Sequence, residues 1–187
     1  MNILIAGVAL WAIAHFFKRL APDMRKGMDA KMGAGPARGI MSLLILGSVA
    51  LMIIGYRAAP ADFIYALPSW ARHINNTLMI IAVIMMGMGK SKGRARTWLR
   101  HPMLWGVVTW AVAHLLVNGD VASIVLFGGM GLWALANMLL INAQDGAWDK
   151  PEAGPAKGDI KLLIISAVVF SVIVGLHMWL GPNPFGG

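Results

Sequence analysis

Residues Ile160–Leu180 read IKLLIISAVVFSVIVGLHMWL, an apolar run in which Lys161, near its start, is the only formal charge. A helix rises about 1.5 Å per residue, so about 20 predominantly apolar residues cross the roughly 30 Å hydrocarbon core of a bilayer. The run is therefore read as a membrane-spanning helix. Working outward from it, the same criterion selects Asn2–Leu20, Gly39–Tyr56, Asn76–Gly89, Met103–Asn118 and Val121–Ala143, of which Asn76–Gly89 is the shortest. The expected fold is an all-α integral membrane bundle of six transmembrane helices, with residues 1–187 as a single transmembrane domain.

Composition supports this reading. Of the 187 residues, 58% are hydrophobic and only 13% charged, with a mean hydropathy of +0.69, which excludes a water-soluble globule. There are no cysteines, which removes disulfides, covalent c-type haem, iron–sulfur clusters and thiolate chemistry together. No carboxylate pair, Ser/His/Asp arrangement or phosphate loop is found, so hydrolysis and phosphoryl transfer are not expected.

The net charge of +8 does not imply nucleic acid as a partner, because the basic residues lie between apolar runs. Every Lys and Arg except Arg57 and Arg72 falls at the end of the first run, in the segments that follow the first, third and fifth runs, or, for Lys161, at the start of the sixth. By the positive-inside rule those loops are cytoplasmic and both termini are non-cytoplasmic. The first run carries no basic residue before Lys18 and lacks a small-residue cleavage site, so it is read as a retained helix and not a signal peptide. Asp62–Trp70 (DFIYALPSW), interrupted by Pro68, is assigned to the outer interface. Gly33–Gly39 and Gly146–Gly158 are expected turns, and Gly128, Gly129 and Gly131 are expected to allow close helix approach.

Ionisable groups inside apolar spans are expensive and are functional candidates by default. His15, His114 and His177 lie within spans, whereas His73 and His101 fall at helix ends. Trp11 and His15 share a helix face, with Lys18 one turn further on. Trp110, Ala111, His114 and Asn118 share another, where Ala111 leaves room and Asn118 is placed to orient the imidazole. The competing structural roles are a polar helix–helix hydrogen bond for His114, the same or a headgroup contact for His15, and an interfacial belt with Trp179 for His177.

Two histidines without cysteine do not make a four-ligand structural zinc site. They suit a six-coordinate haem iron, and the absence of cysteine leaves a non-covalent, b-type haem. Counting about 1.5 Å per residue from the cytoplasmic boundary puts His15 at roughly 7 Å and His114 at roughly 17 Å. An offset near 10 Å needs a strongly tilted haem, so His114 with His177 stands as an alternative pair.

The run Arg100-His101-Pro102-Met103-Leu104-Trp105-Gly106, followed by WAVAHLLVNGD from Trp110 to Asp120 and by Leu132-Trp133-Ala134, resembles the NnrU family of membrane proteins. The early segment WAIAHFFKRL is similar to that family's first helix, so the resemblance covers essentially the whole chain. It implies a multi-pass protein of the bacterial inner membrane, associated with denitrification, that is, nitrite and nitric oxide reduction. The family includes the plant 15-cis-zeta-carotene isomerase, a b-haem enzyme whose axial histidines lie in similar motifs. Carried over, those iron ligands fall on His15 and His114, with Trp11, Trp110, Ala111 and Asn118 around the cofactor. The plant enzyme has a cysteine where this chain has Ala111, so the ligand switch associated with isomerisation is missing.

The Arg-His-Pro segment is also similar to one in membrane methyltransferases related to isoprenylcysteine carboxyl methyltransferase. The aromatic normally found at the place of Leu104 is absent, as is the acidic pair near the last helix, and His101 reads equally as a helix-start residue before Pro102. Three readings of function follow: a haem-binding membrane protein supporting denitrification, a haem-dependent cis-trans isomerase of an apolar polyene such as a carotenoid, and a cofactor-free bundle stabilising a larger complex. The implied partners are the lipid bilayer, haem, and either an apolar lipid-soluble substrate or a membrane redox partner.

Overall fold

The computed structural model describes residues 1–181 and 183–185. Its regular structure is helical, apart from an isolated bridge between Phe63 and Asp120. In chain order the helices are α1 (Asn2–Leu20), α2 (Pro22–Met32), α3 (Ala34–Arg57), α4 (Ala71–Met88), α5 (Pro102–Leu115), α6 (Val121–Asp145) and α7 (Ala156–Leu180), with a 3₁₀ turn at Ala95–Thr97. Among the described residues, α1, α3, α6 and α7 are each long and apolar enough to cross a membrane. The protein is an all-α, multi-pass membrane protein.

Helices also stand at the third and fourth expected spans. They differ from the other four in separate ways: α5 has only 14 residues and extends about 21 Å against a core of roughly 30 Å, whereas α4, with 18 residues, is nearly as long as α1 but opens on the polar residues Arg72, His73, Asn75 and Asn76. Helix α2 was not expected. Its sequence is too polar to register as an apolar run, but Pro22 opens it at a position needing no N–H, Asp23 lies in its first turn, and Arg25 pairs with Asp29 at 2.8 Å one turn on. The expected turn at Gly33–Gly39 shrinks accordingly. Gly33, at φ +86°, makes the whole reversal, and α3 begins at Ala34 with Pro36 tolerated in its first turn.

The chain divides into two compact units, Met1–Ile64 with Asp120–Gly129 and Tyr65–Gly119 with Met130–Gly187. In the first, α1 packs on α3. Two glycines permit the approach, because a Cβ on Gly7 would lie 2.7 Å from the Met52 backbone nitrogen and one on Gly55 would run into the Leu4 backbone. Leu4 and Ser48 are fully buried in this seam. The start of α6 completes the unit. Asp120 caps it through the Ser123 N–H (2.9 Å), the Ser123 hydroxyl donates to the other carboxylate oxygen (2.6 Å), and Tyr56 Oη lies 2.8 Å from the same hydroxyl. Residues Ile124–Gly128 form a π-helical segment that carries buried Phe127 edge-on to Tyr56, 6.4 Å between centroids.

In the second unit α4 packs on α5 and α7. Gly106 lies under Met86 and Ala82, and Gly87 lies under Leu162. The connection from α4 to α5 is clamped to the start of α7, where the Asp159 carboxylate accepts the N–H groups of Arg94 (3.0 Å) and Ala95 (2.9 Å) and Gly154 donates to the Gly93 carbonyl. The glycines expected to allow close approach divide. Gly129 meets Val8 and Gly131 meets Ala111, whereas Gly128 faces open space.

Candidate functional site: two Trp-Ala-x-Ala-His turns

His15 sits near the end of α1, half-buried, with Nδ1 2.8 Å from the carbonyl oxygen of Trp11. A carbonyl can only accept, so Nδ1 carries the proton, and in the neutral ring the lone pair then resides on Nε2. The imidazole lies over Trp11 with centroids 4.2 Å apart and planes 30° from parallel. Helix geometry causes both contacts, since side chains point back toward the N-terminus and meet the residue four positions earlier.

His114 repeats this arrangement at the end of α5. Its Nδ1 lies 2.9 Å from the Trp110 carbonyl oxygen and its ring 5.1 Å from the Trp110 ring. The two pentapeptides, Trp11-Ala12-Ile13-Ala14-His15 and Trp110-Ala111-Val112-Ala113-His114, differ only by Ile for Val. Ala14 and Ala113 are both buried, so in each turn a methyl side chain lies on the packed side of the helix. This near-identity is a signal that inspection of each histidine alone passes over. One copy belongs to each compact unit.

The neighbours expected around His114 act differently from the expectation. Asn118 does not reach the imidazole; its Nδ2 donates to the backbone carbonyl of His114 at 3.0 Å, beside its own N–H at 2.9 Å, and so finishes the helix end. The Trp110 carbonyl holds the ring instead. Ala111 is not open space, because it is buried where Gly131 lets α6 come close. A methyl group has no lone pair and supplies packing alone.

His177 is exposed on α7, with Nδ1 2.8 Å from the Ile173 carbonyl oxygen, and has no tryptophan one turn before it. It shares a cleft of about 50 Å³ with His114, Asn75, Asn76 and Phe185. Within it, Asn75 Nδ2 donates to Asn76 Oδ1 and Asn75 Oδ1 is left without a hydrogen-bond partner. His73 is exposed at the start of α4. His101 lies 2.8 Å, through Nε2, from Asn142 Oδ1, and Arg100 donates to the Gly146 carbonyl at 2.7 Å. The Arg-His-Pro segment thus fastens the start of α5 to the end of α6, which accounts for it structurally. Among the described residues no group of three or more His, Cys, Asp or Glu side chains converges as a metal site.

No curated protein and no solved structure matches the chain. The model of the NnrU protein family matches residues 3–184, a span that contains both Trp-Ala-x-Ala-His turns, the Arg-His-Pro fastening and all four long apolar helices. The chain is a member of the NnrU family.

Proposed function

We propose that the protein binds one b-type haem through His15 and His114 and serves bacterial denitrification as a haem-binding protein of the inner membrane. The observation that carries this reading is the pairing, in both Trp-Ala-x-Ala-His turns, of an Nδ1–H···O=C bond with a tryptophan ring against the imidazole; His177 makes the bond but has no such tryptophan. The bond sets the tautomer and fixes the ring plane, the work that a hydrogen-bonded backbone carbonyl does for metal-ligating histidines. The donor set fits the group: the imidazoles of His15 and His114 would hold the iron, and a haem so held would supply redox, gas-binding or isomerisation chemistry. The pair His114 and His177 fits less well. Their shared cleft of about 50 Å³ takes a water molecule or two, whereas sites for cofactor-sized ligands span roughly 300–1,000 Å³. Isomerisation by ligand exchange has no support at Ala111, which offers no ligand atom.

The purified protein from haem-replete cells is expected to show a Soret band, with visible bands that sharpen on reduction as for six-coordinate low-spin iron. A colourless preparation overturns the proposal and leaves the cofactor-free bundle.

The reading includes six spans, with α4 and α5 crossing alongside the four long helices and both termini non-cytoplasmic. A reporter joined after Gly187, which lies outside the described residues, is expected to be active only on the non-cytoplasmic side. Cytoplasmic activity would overturn this topology, through either a failed span, α4 or α5, or an inverted orientation.

A further inference from the structure

A groove of about 510 Å³ lies between α4 and α7 in the second unit. It has two chemically distinct parts. Its shaft is apolar, walled by Val83, Ile165 and Val169 among others and ending at Ile173, a residue that also borders the small cleft at His114. Its mouth carries Lys90, Lys92 and Lys161. None of these three ammonium groups makes an ion pair with a described residue. The Asp159 carboxylate, at the start of α7, is turned to the N–H groups of Arg94 and Ala95.

The mouth is built and held. Ser91 Oγ accepts the Gly93 N–H at 3.0 Å, and Gly158 packs so closely on the Lys92–Gly93 backbone that it has no room for a Cβ. Together with the Asp159 clamp, these contacts keep the two loop lysines over the start of α7. From Gly158 to Ile173 the groove follows α7 for about 22 Å, deeper than the roughly 15 Å of one hydrocarbon leaflet. Three unpaired cations above an apolar slot match an amphiphile with a phosphate head and an acyl tail. Basic pockets between spanning helices on the cytoplasmic side recognise anionic lipid headgroups by this chemistry.

We propose that the groove between α4 and α7 is a specific site for one anionic phospholipid, its headgroup phosphate held by Lys90, Lys92 and Lys161 and one acyl chain lying along α7 toward Ile173. The proposal does not rest on the haem reading, since none of the groove's lining residues is a proposed haem ligand.

The test is native mass spectrometry of the full chain, delipidated in detergent and titrated with palmitoyl-oleoyl phosphatidylglycerol or the matching phosphatidylcholine. The wild type is expected to bind one phosphatidylglycerol with on the order of tenfold preference over phosphatidylcholine. Lys90→Gln/Lys92→Gln/Lys161→Gln should lose the preference, and the charge-matched control Lys31→Gln/Lys150→Gln/Lys157→Gln, outside the groove, should keep it. Ile165→Trp fills the shaft and should weaken phosphatidylglycerol binding at least tenfold, while Ile164→Trp, exposed on the same helix but outside the groove, should not. Equal binding of both lipids overturns the proposal, because the three lysines then do not select an anionic headgroup. Displacement of the lipid by excess inorganic phosphate alone, a chain dimer that forms in place of lipid binding, or unchanged binding by Ile165→Trp overturns it as well.

Discussion

His15→Ala and His114→Ala are each expected to abolish the low-spin haem spectrum of the purified protein. Each substitution removes one iron bond and leaves a vacant or water-filled position, so haem is lost or becomes high-spin. The controls are set by geometry. His177→Ala, at an exposed residue, and His73→Ala, at the start of α4, should retain the spectrum. Asn118→Ala should also leave it essentially unchanged, because the ring of His114 is oriented by the Trp110 carbonyl and not by the Asn118 side chain. Trp110→Phe keeps that carbonyl and should retain haem while altering the ring contact. Loss of the low-spin signal in His177→Ala with retention in His15→Ala would show the first-helix ligand to be wrong.

A second large effect is expected at the seam of α1 and α3. Gly55→Ala places a methyl group against the backbone of Leu4, and backbone cannot move aside as a flexible side-chain end can. Overpacking of this kind destabilises by roughly 1–3 kcal/mol, and here it separates the helix carrying His15 from its main packing partner. Thermal unfolding in detergent should show a clear fall in midpoint. Gly47→Ala, in the same helix but with nothing near the new methyl group, should be neutral or stabilising by up to about 1 kcal/mol. Equal behaviour of the two variants would mean that the close approach at Gly55 does not hold the unit together.

The spanning helices were legible because their signal is additive. A run such as Ile160–Leu180 needs no knowledge of its neighbours, and α7 occupies Ala156–Leu180. Helix α2 escaped because its stability rests on Pro22, Asp23 and the Arg25–Asp29 pair, none of which contributes to hydropathy. The histidines were legible as residues but not in their partners. The atoms that orient His15 and His114 are backbone carbonyls, which every residue has, so a search among polar side chains settled on Asn118 instead. The network of Tyr56, Ser123 and Asp120 was invisible because Tyr56 is 67 positions from Ser123. Lys90, Lys92 and Lys161 were read only as topology signals, since their convergence depends on how the α4–α5 connection folds back on α7.

The π-helical segment Ile124–Gly128 has a consequence for the spacing of residues along its own helix. A wider turn absorbs one residue more than an α-turn, so side chains beyond it keep the facing they would have in a plain helix one residue shorter. Loss of a single residue inside Ile124–Gly128 is thus the one deletion in Val121–Asp145 that leaves the later faces in place. Removal of a residue between Gly131 and Asn142 turns what lies beyond it by about 100° and carries Asn142 off His101 while Gly131 stays on Ala111. A relative lacking one residue in this helix should therefore carry its gap between Ile124 and Gly128, and there alone.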